Sequence, residues 1–417
     1  MAYAILLTHG TNGDVLPFLH LAEVLRGRGH EVTLVSHAPY GPAARASGVE
    51  FVPLDTAEQY AHYLADARTV LLSRLGSPEP PDLLAHYHRT GLFDQIRTEI
   101  AAVVQRHRPG RTVLIGRHTS GLAALIAAEA LRIPAAWLAP TPAQHLLLPV
   151  TEYLHRTVLA PELNRIRGEY GLPPVPDWRA WLASADRQLG LWPGWFDAAG
   201  TPTPEPVTKV GFLLGEGAES GELPAELLPV LDGDRPPVLI AGSSGSILFE
   251  QFYRAAATAC RRVGRAGILV SPFPELLPDR LPPDLHWFPR LPYRQLMPRV
   301  AAVIHHGGIG TLARALAAGV PQLVLAHSFD QPDTAARLRR LGAAEWLPST
   351  HWDPERAGEL LARLLTDPSY RERAGKLGHR IDPASAPPGA SSGSSRELAS
   401  GASRKPSVTT DCATTKL

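Results

Sequence analysis

Residues 300–325 read VAAVIHHGGIGTLARALAAGVPQLVL and contain a complete strand–turn–helix–strand unit. Val300 to Ile304 is an apolar run of strand length, as expected for a strand covered on both faces. His305-His306-Gly307-Gly308-Ile309-Gly310-Thr311 is the turn that leaves it. Leu312 to Ala318 then follows a helical period, Gly319 stops it, and Val320-Pro321 leads into a second strand from Gln322 to Leu325. Glycines let the backbone approach a ligand closely, and a helix N-terminus presents free N–H groups to an anion. His306 and the Thr311 hydroxyl can each donate to a phosphate oxygen, so a nucleotide diphosphate fits this turn on local physics. The competing reading is structural: glycines that permit tight strand–helix packing, with both histidines internal. A metal site is not expected, because adjacent residues on an extended chain face opposite ways.

The same arrangement opens the chain. Ala2 to Leu7 is a short apolar strand, Thr8-His9-Gly10-Thr11-Asn12-Gly13-Asp14 is a polar turn, and Leu16, Leu19, Ala22 and Leu25 fall at helical spacing before Gly29. Glu31 to Ser36 is the next strand. Pro237 to Ala241, the turn Gly242-Ser243-Ser244-Gly245, Phe252 to Arg262 and Ile268 to Val270 repeat the unit further on. Two such seeds predict an α/β chain of two Rossmann-like domains facing across a cleft. A first domain over 1–200 is expected, then a linker at 201–206 (Thr-Pro-Thr-Pro-Glu-Pro), then a second domain over 207–381 whose first strand starts at Val207. Residues 382–417 are rich in Ser, Ala, Pro, Gly and Thr and are expected to be disordered.

The totals agree with an ordinary globular enzyme. The 417 residues exceed one ordinary core, and 41 basic residues against 40 acidic ones give no sign of a nucleic-acid partner. Two cysteines, Cys260 and Cys412, cannot build a disulfide framework or a thiolate zinc site. No stretch reaches the roughly 20 apolar residues of a membrane helix, so a cytoplasmic protein, monomeric or homodimeric, is expected.

One strand after the glycine turn comes Asp330-Gln331, again at a strand's carboxyl end, where such sheets bind ligands. These side chains can hold sugar hydroxyls; the alternative for Asp330 is capping the helix that follows. The run from His306 to Pro321, followed by Asp330-Gln331, resembles the nucleotide-sugar signature of family-1 glycosyltransferases of GT-B fold. The His-His-Gly-Gly-x-Gly-Thr form is similar to bacterial antibiotic and sterol-type members, and the resemblance covers residues 2 to 376. It implies that His306, Gly308, Gly310 and Thr311 contact the diphosphate, and that Asp330 and Gln331 contact the transferred sugar.

Gly10-Thr11-Asn12-Gly13-Asp14-Val15-Leu16-Pro17 resembles the Gly-x-x-Gly-Asp-Val-x-Pro segment of the same subgroup. The resemblance makes Asp14 the general base that takes the proton of an acceptor hydroxyl, giving a single inverting displacement. Helix capping is its bland role, and His9 is a weaker competitor as base. Ser244 falls where the family has a phosphate-side turn. Leu291 offers backbone bonds to the base, and Arg290 stands where plant relatives stack a Trp. Arg314 replaces the Glu that holds the ribose in those relatives, so UDP and dTDP both stay open. Irregular stretches of the first domain carry His62, His86 and His145, candidate acceptor-pocket residues beside His9.

The expected partners are a nucleotide diphosphate sugar as co-substrate and a small-molecule acceptor, with no cofactor or metal. A nicotinamide dehydrogenase is excluded by the spacing of the Gly10 turn and by a second strand that ends Val35-Ser36-His37 without an acidic residue. An epimerase of similar fold and a catalytically silent nucleotide-sugar-binding auxiliary stay as alternatives.

Overall fold

The computed structural model describes residues 1–381 apart from 77–81, 119–120, 205, 216–220, 244–249, 278–280 and 328–329, with the side chains of 68–76 also outside it. The Ser244 assignment and the disorder expected for 382–417 therefore lie outside the described residues.

The first half forms one parallel sheet from β1 (Tyr3–Leu7), β2 (Glu31–Ser36), β3 (Glu50–Pro53), β4 (Thr112–Arg117), β5 (Ala135–Ala139), β6 (Arg187–Gly190) and β7 (Val207–Lys209). The second half forms another from β8 (Val238–Ala241), β9 (Gly267–Val270), β10 (Leu285–Phe288), β11 (Ala302–His305), β12 (Gln322–Ala326) and β13 (Ala344–Pro348). Their orders are β3-β2-β1-β4-β5-β6-β7 and β10-β9-β8-β11-β12-β13. Each reverses direction once, between β1 and β4 and between β8 and β11. Ligands of doubly wound sheets bind outside the strand ends at such a reversal. The β1 and β11 strands are buried at every residue, as parallel strands covered by helices on both faces must be.

Four helices matter for the site: α1 (Asn12–Gly27), α2 (Leu92–Arg106), α3 (Ile309–Ala317) and α4 (Gln331–Arg340). Helix α1 starts from Thr11 in extended backbone, and the Thr11 N–H donates to Asp14 Oδ2 at 2.9 Å. That bond satisfies a donor that the helix start would otherwise leave open.

The strand at Val207 was expected to open the second domain; instead it closes the first sheet, pairing parallel with β6 through Gln188–Val207 and Leu189–Thr208. Its proline-rich approach reads as a linker, but the chain crosses to the second sheet only between Lys209 and Val238. The two halves meet on an apolar seam in which Trp192, Phe196 and Val207 pack with Leu312, Leu316, Val324 and Leu338. Arg337 of α4 is fully buried there. Its guanidinium donates to the carbonyls of Phe196 (3.2 Å), Asp197 and Thr201 (2.7 Å), while Nε bonds Asp333 at 2.8 Å. A buried cation is tolerated only when its donors are satisfied in this way. The last described residues return to the same seam, with Arg380 over the Trp195 ring at 5.1 Å. Among the described residues no helix is long and apolar enough to cross a membrane.

Candidate functional site

On the second-half side, β11 delivers two histidines with opposite fates. His305 is fully buried; its Nδ1 accepts from the Gly307 N–H at 3.0 Å and its Nε2 bonds Gln322 Oε1 at 2.8 Å. Because Nδ1 accepts, the ring proton sits on Nε2, and burial pulls the imidazole down to about 3. His305 is thus a neutral brace for the turn. Gly307 needs its left-handed φ of +102° and is hemmed in by Gln331 and Val324. His306 lies on the other face, its ring against Gly308, where a Cβ would collide with Nε2. Its Nδ1 is buried with no hydrogen-bond partner, and burial holds it down at about 4, with His327 adding to the effect. It can therefore serve a ligand as a neutral donor. Gly308 is the N-cap of α3, with Gly310 and Thr311 in its first turn, so the opening N–H groups of α3 gather beside His306.

Asp330 occupies the N-cap position of α4 but makes no side-chain capping bond, so the capping alternative is not realised. Burial pushes its carboxyl up to about 6, and the negative charge of Asp14 adds to this, with Arg117 opposing it. A carboxylate of the first half thus bears on one of the second. Gln331 is buried, and its Oε1 accepts from the His327 N–H at 2.8 Å, which shapes the loop between β12 and α4. Arg290 is exposed after β10. Leu291 packs its side chain into the core with Phe288, Leu296 and Val300. Arg314 donates to the carbonyls of Gly310 and Gly215, both at 3.2 Å, and so ties α3 to the connecting segment.

On the first-half side, Asp14 is the third residue of α1. Oδ2 accepts from Thr11, and Oδ1 pairs with Arg117 Nη2 at 2.7 Å. The turn that presents it is held by side chains. Gly10 has φ +117°, and a Cβ there would strike the Asp14 carboxylate. Its N–H donates to His37 Nε2 at 3.0 Å, and its carbonyl accepts from the Tyr60 hydroxyl at 3.0 Å. With Nε2 accepting, His37 donates from Nδ1 to Asp55 at 2.7 Å, and burial keeps the ring neutral by lowering its pKa.

The four histidines expected to line an acceptor pocket do not act alike. His9 is buried, with Nε2 bonded to Glu99 Oε1 of α2 at 2.7 Å. His86 is committed to Asp66, which also takes Arg89 at 3.1 Å, so it ties two helices together. Exposed His62 joins no such network. His145 follows β5; its ring lies 4.0 Å from that of His118 at a tilt of 38°, and its buried Nε2 has no partner among the described residues. Gln144 on the same loop also has a buried oxygen without a partner among the described residues, while Thr141 lies within reach of Asp330 and opposes the rise of its carboxyl. Sequence reading missed Arg117, Glu99 and Asp55. For Arg117 a signal existed, since a cation ends β4 beside the reversal of the sheet.

Comparison with known proteins agrees with this geometry. Residues 4–136 match the glycosyltransferase family 28 N-terminal domain, and residues 274–391 match the erythromycin biosynthesis protein CIII-like C-terminal domain. The chain is 30% identical over 407 residues to the O-mycaminosyltylonolide 6-deoxyallosyltransferase of Streptomyces fradiae, covering 90% of this chain and 93% of that one. It is 29% identical to the vancomycin aglycone glucosyltransferase of Amycolatopsis orientalis, over 81% and 84% of the two chains. Similar solved structures include the glycosyltransferase VinC in complex with dTDP, with a TM-score of 0.66 and 20% identity over 91% of this chain and 95% of that one. The calicheamicin glycosyltransferase CalG4 superposes with a TM-score of 0.67 at 19% identity, over 96% and 98%.

Proposed function

Because this chain belongs to the family-1 glycosyltransferases of GT-B fold, in their antibiotic-type branch, we propose that it inverts the anomeric carbon of a UDP- or dTDP-sugar while moving that sugar to a hydroxyl or amine of a natural product. The observation that supports the reading is the pairing of Asp14 with Arg117 at 2.7 Å at the reversal of the first sheet, together with the His306 and α3 turn at the reversal of the second. Diphosphate lies on the opening N–H groups of α3, with His306 and Thr311 as further donors. Asp330 accepts hydrogen bonds from the sugar. The acceptor oxygen attacks the anomeric carbon, its proton passes to Asp14, and the nucleotide diphosphate leaves with the electrons of the broken C–O bond. No covalent sugar–enzyme intermediate forms. Charge on the leaving group falls to His306 and the helix terminus, so turnover in chelator is part of the proposal. The name of the Streptomyces fradiae relative supports a deoxysugar as donor and a macrolide-type acceptor.

The test is incubation with a panel of UDP- and dTDP-sugars and a natural-product library. Acceptor-dependent release of nucleotide diphosphate and a product of opposite anomeric configuration by NMR are expected. An epimerised donor without acceptor, or donor binding without turnover, overturns the reading.

A further inference from the structure

Two carboxylates that face each other in a half-buried cleft cannot both stay ionised without a nearby cation, because each disfavours the charge on the other. Asp14 and Asp330 bear on each other in this way, the charge of Asp14 adding to the rise of the Asp330 carboxyl, and the proposed reaction needs both as acceptors. Among the described residues, the turn before α1 offers Asp14 the Thr11 N–H, and the Thr8 hydroxyl donates to the Asp14 carbonyl at 3.1 Å. Tyr40, Tyr60 and Tyr63 lie on one side, all with phenols raised by burial, Tyr63 to about 12, so they stay neutral. Asp330 lies across the cleft, and Arg117 ends β4. Arg117 pairs directly with Asp14 at 2.7 Å, with side-chain exposures of 20% and 23%, and its charge also reaches Asp330. It stands at the reversal point of the first sheet, beside the turn that carries Asp14.

We propose that Arg117 is a positioning residue for sugar transfer: its direct ion pair clamps Asp14 in place, and it brings a cation to the side of the site that also carries the Asp330 carboxyl. This rests on the reading of Asp14 as the base. The clamp has two jaws. Thr11 N–H holds Oδ2 and Arg117 holds Oδ1, which fixes the plane of the carboxylate. Each oxygen keeps a further lone pair, so the acceptor hydroxyl can still be met. Arg117 does not touch the transferring proton; it acts through Asp14.

The experiment compares the wild type with Arg117→Met, Arg117→Lys, Asp14→Asn and Asp330→Asn. Protein carrying carbon-13 at the aspartate carboxyls is titrated by NMR, with Asp330 assigned from Asp330→Asn. In Arg117→Met the Asp330 titration is expected to move up by about one pH unit, and the acid limb of kcat/KM should rise by a similar amount, costing about tenfold in rate below the limb. Arg117→Lys should restore the titration but only part of kcat, because an ammonium keeps the charge and loses the planar fork. Affinity for free dTDP or UDP should stay within about twofold, as neither jaw belongs to the diphosphate turn. An Asp330 titration or an acid limb in Arg117→Met that matches the wild type overturns the proposal. If Asp14→Asn keeps wild-type turnover, the base reading falls and this inference falls with it. If Asp14→Asn is inactive while Arg117→Met shifts nothing, only the role of Arg117 is lost.

Discussion

The turn after β1 and the turn after β11 both stand at the reversal of strand order in their sheets, one on each side of it, yet they are built differently. The β11 turn is nearly self-sufficient in sequence: one short run holds the brace His305, the donor His306, the left-handed Gly307 and the start of α3, with Gln322 and Thr334 as its outside partners. The β1 turn depends on distant side chains, with His37, Tyr60 and Arg117 all needed to shape Gly10 and hold Asp14. The difference follows from the chemistry. A diphosphate is gripped largely by backbone N–H groups, which a contiguous stretch can supply. A proton acceptor needs one side chain in a defined electrostatic setting, and that setting is assembled from several strand ends.

The contrast can be broken or sharpened by mutation. The largest effect is expected from Asp14→Asn, which should lower kcat by about two to four powers of ten with donor affinity nearly intact; His9→Gln, which removes the partner of Glu99, should cost far less turnover. Equal losses would move the base from Asp14 to the His9–Glu99 pair. Gly10→Ala comes next. It forces a side chain into a left-handed backbone and against Asp14, so unfolding titrations should show a loss of about 1–3 kcal/mol, with kcat reduced as well. A variant as stable and active as the wild type would mean that the turn does not position Asp14.

His306→Ala tests the β11 turn. It should weaken dTDP or UDP binding by about tenfold in calorimetry, the weight of one hydrogen bond to a charged group, and unchanged affinity removes His306 from the diphosphate site. The smallest effect concerns Asp330. Its folded carboxyl titrates at about 6, above the ordinary value of 3.8, so its favourable contribution is present at low pH and is lost as pH rises through about 6. Asp330→Asn should therefore raise Tm by roughly a few degrees at pH 8 and by less at pH 4.5. A gain that does not depend on pH would mean that the Asp330 charge is not strained.

These contrasts explain what could be read in advance. The two-sheet architecture and the strand–turn–helix unit around β11 were legible, because periodicity and glycine placement are local signals, whereas Asp14 was singled out by its resemblance to the family segment. Val207 was misplaced because prolines at 202, 204 and 206 mark a linker equally well before or after a sheet's last strand. Pairing with β6 depends on a neighbour that no local pattern reveals. His86 and His145 looked alike as polar residues in irregular stretches, and His9 as a rival base in the β1 turn; only their partners Asp66 and Glu99 separate His86 and His9 from His145. Arg117 belongs to the same class of omission, since its meaning comes from Asp14, far away in the chain.

Arg337 has a mechanical consequence. Its fork holds three consecutive stations of the segment from Phe196 to Thr201 by their carbonyls, inside a seam already sealed by Trp192 and Phe196. That edge behaves like the spine of a book. A margin bound in this way fixes which edges of the two sheets stay together, and with them the relative placing of the turns that carry Asp14 and His306.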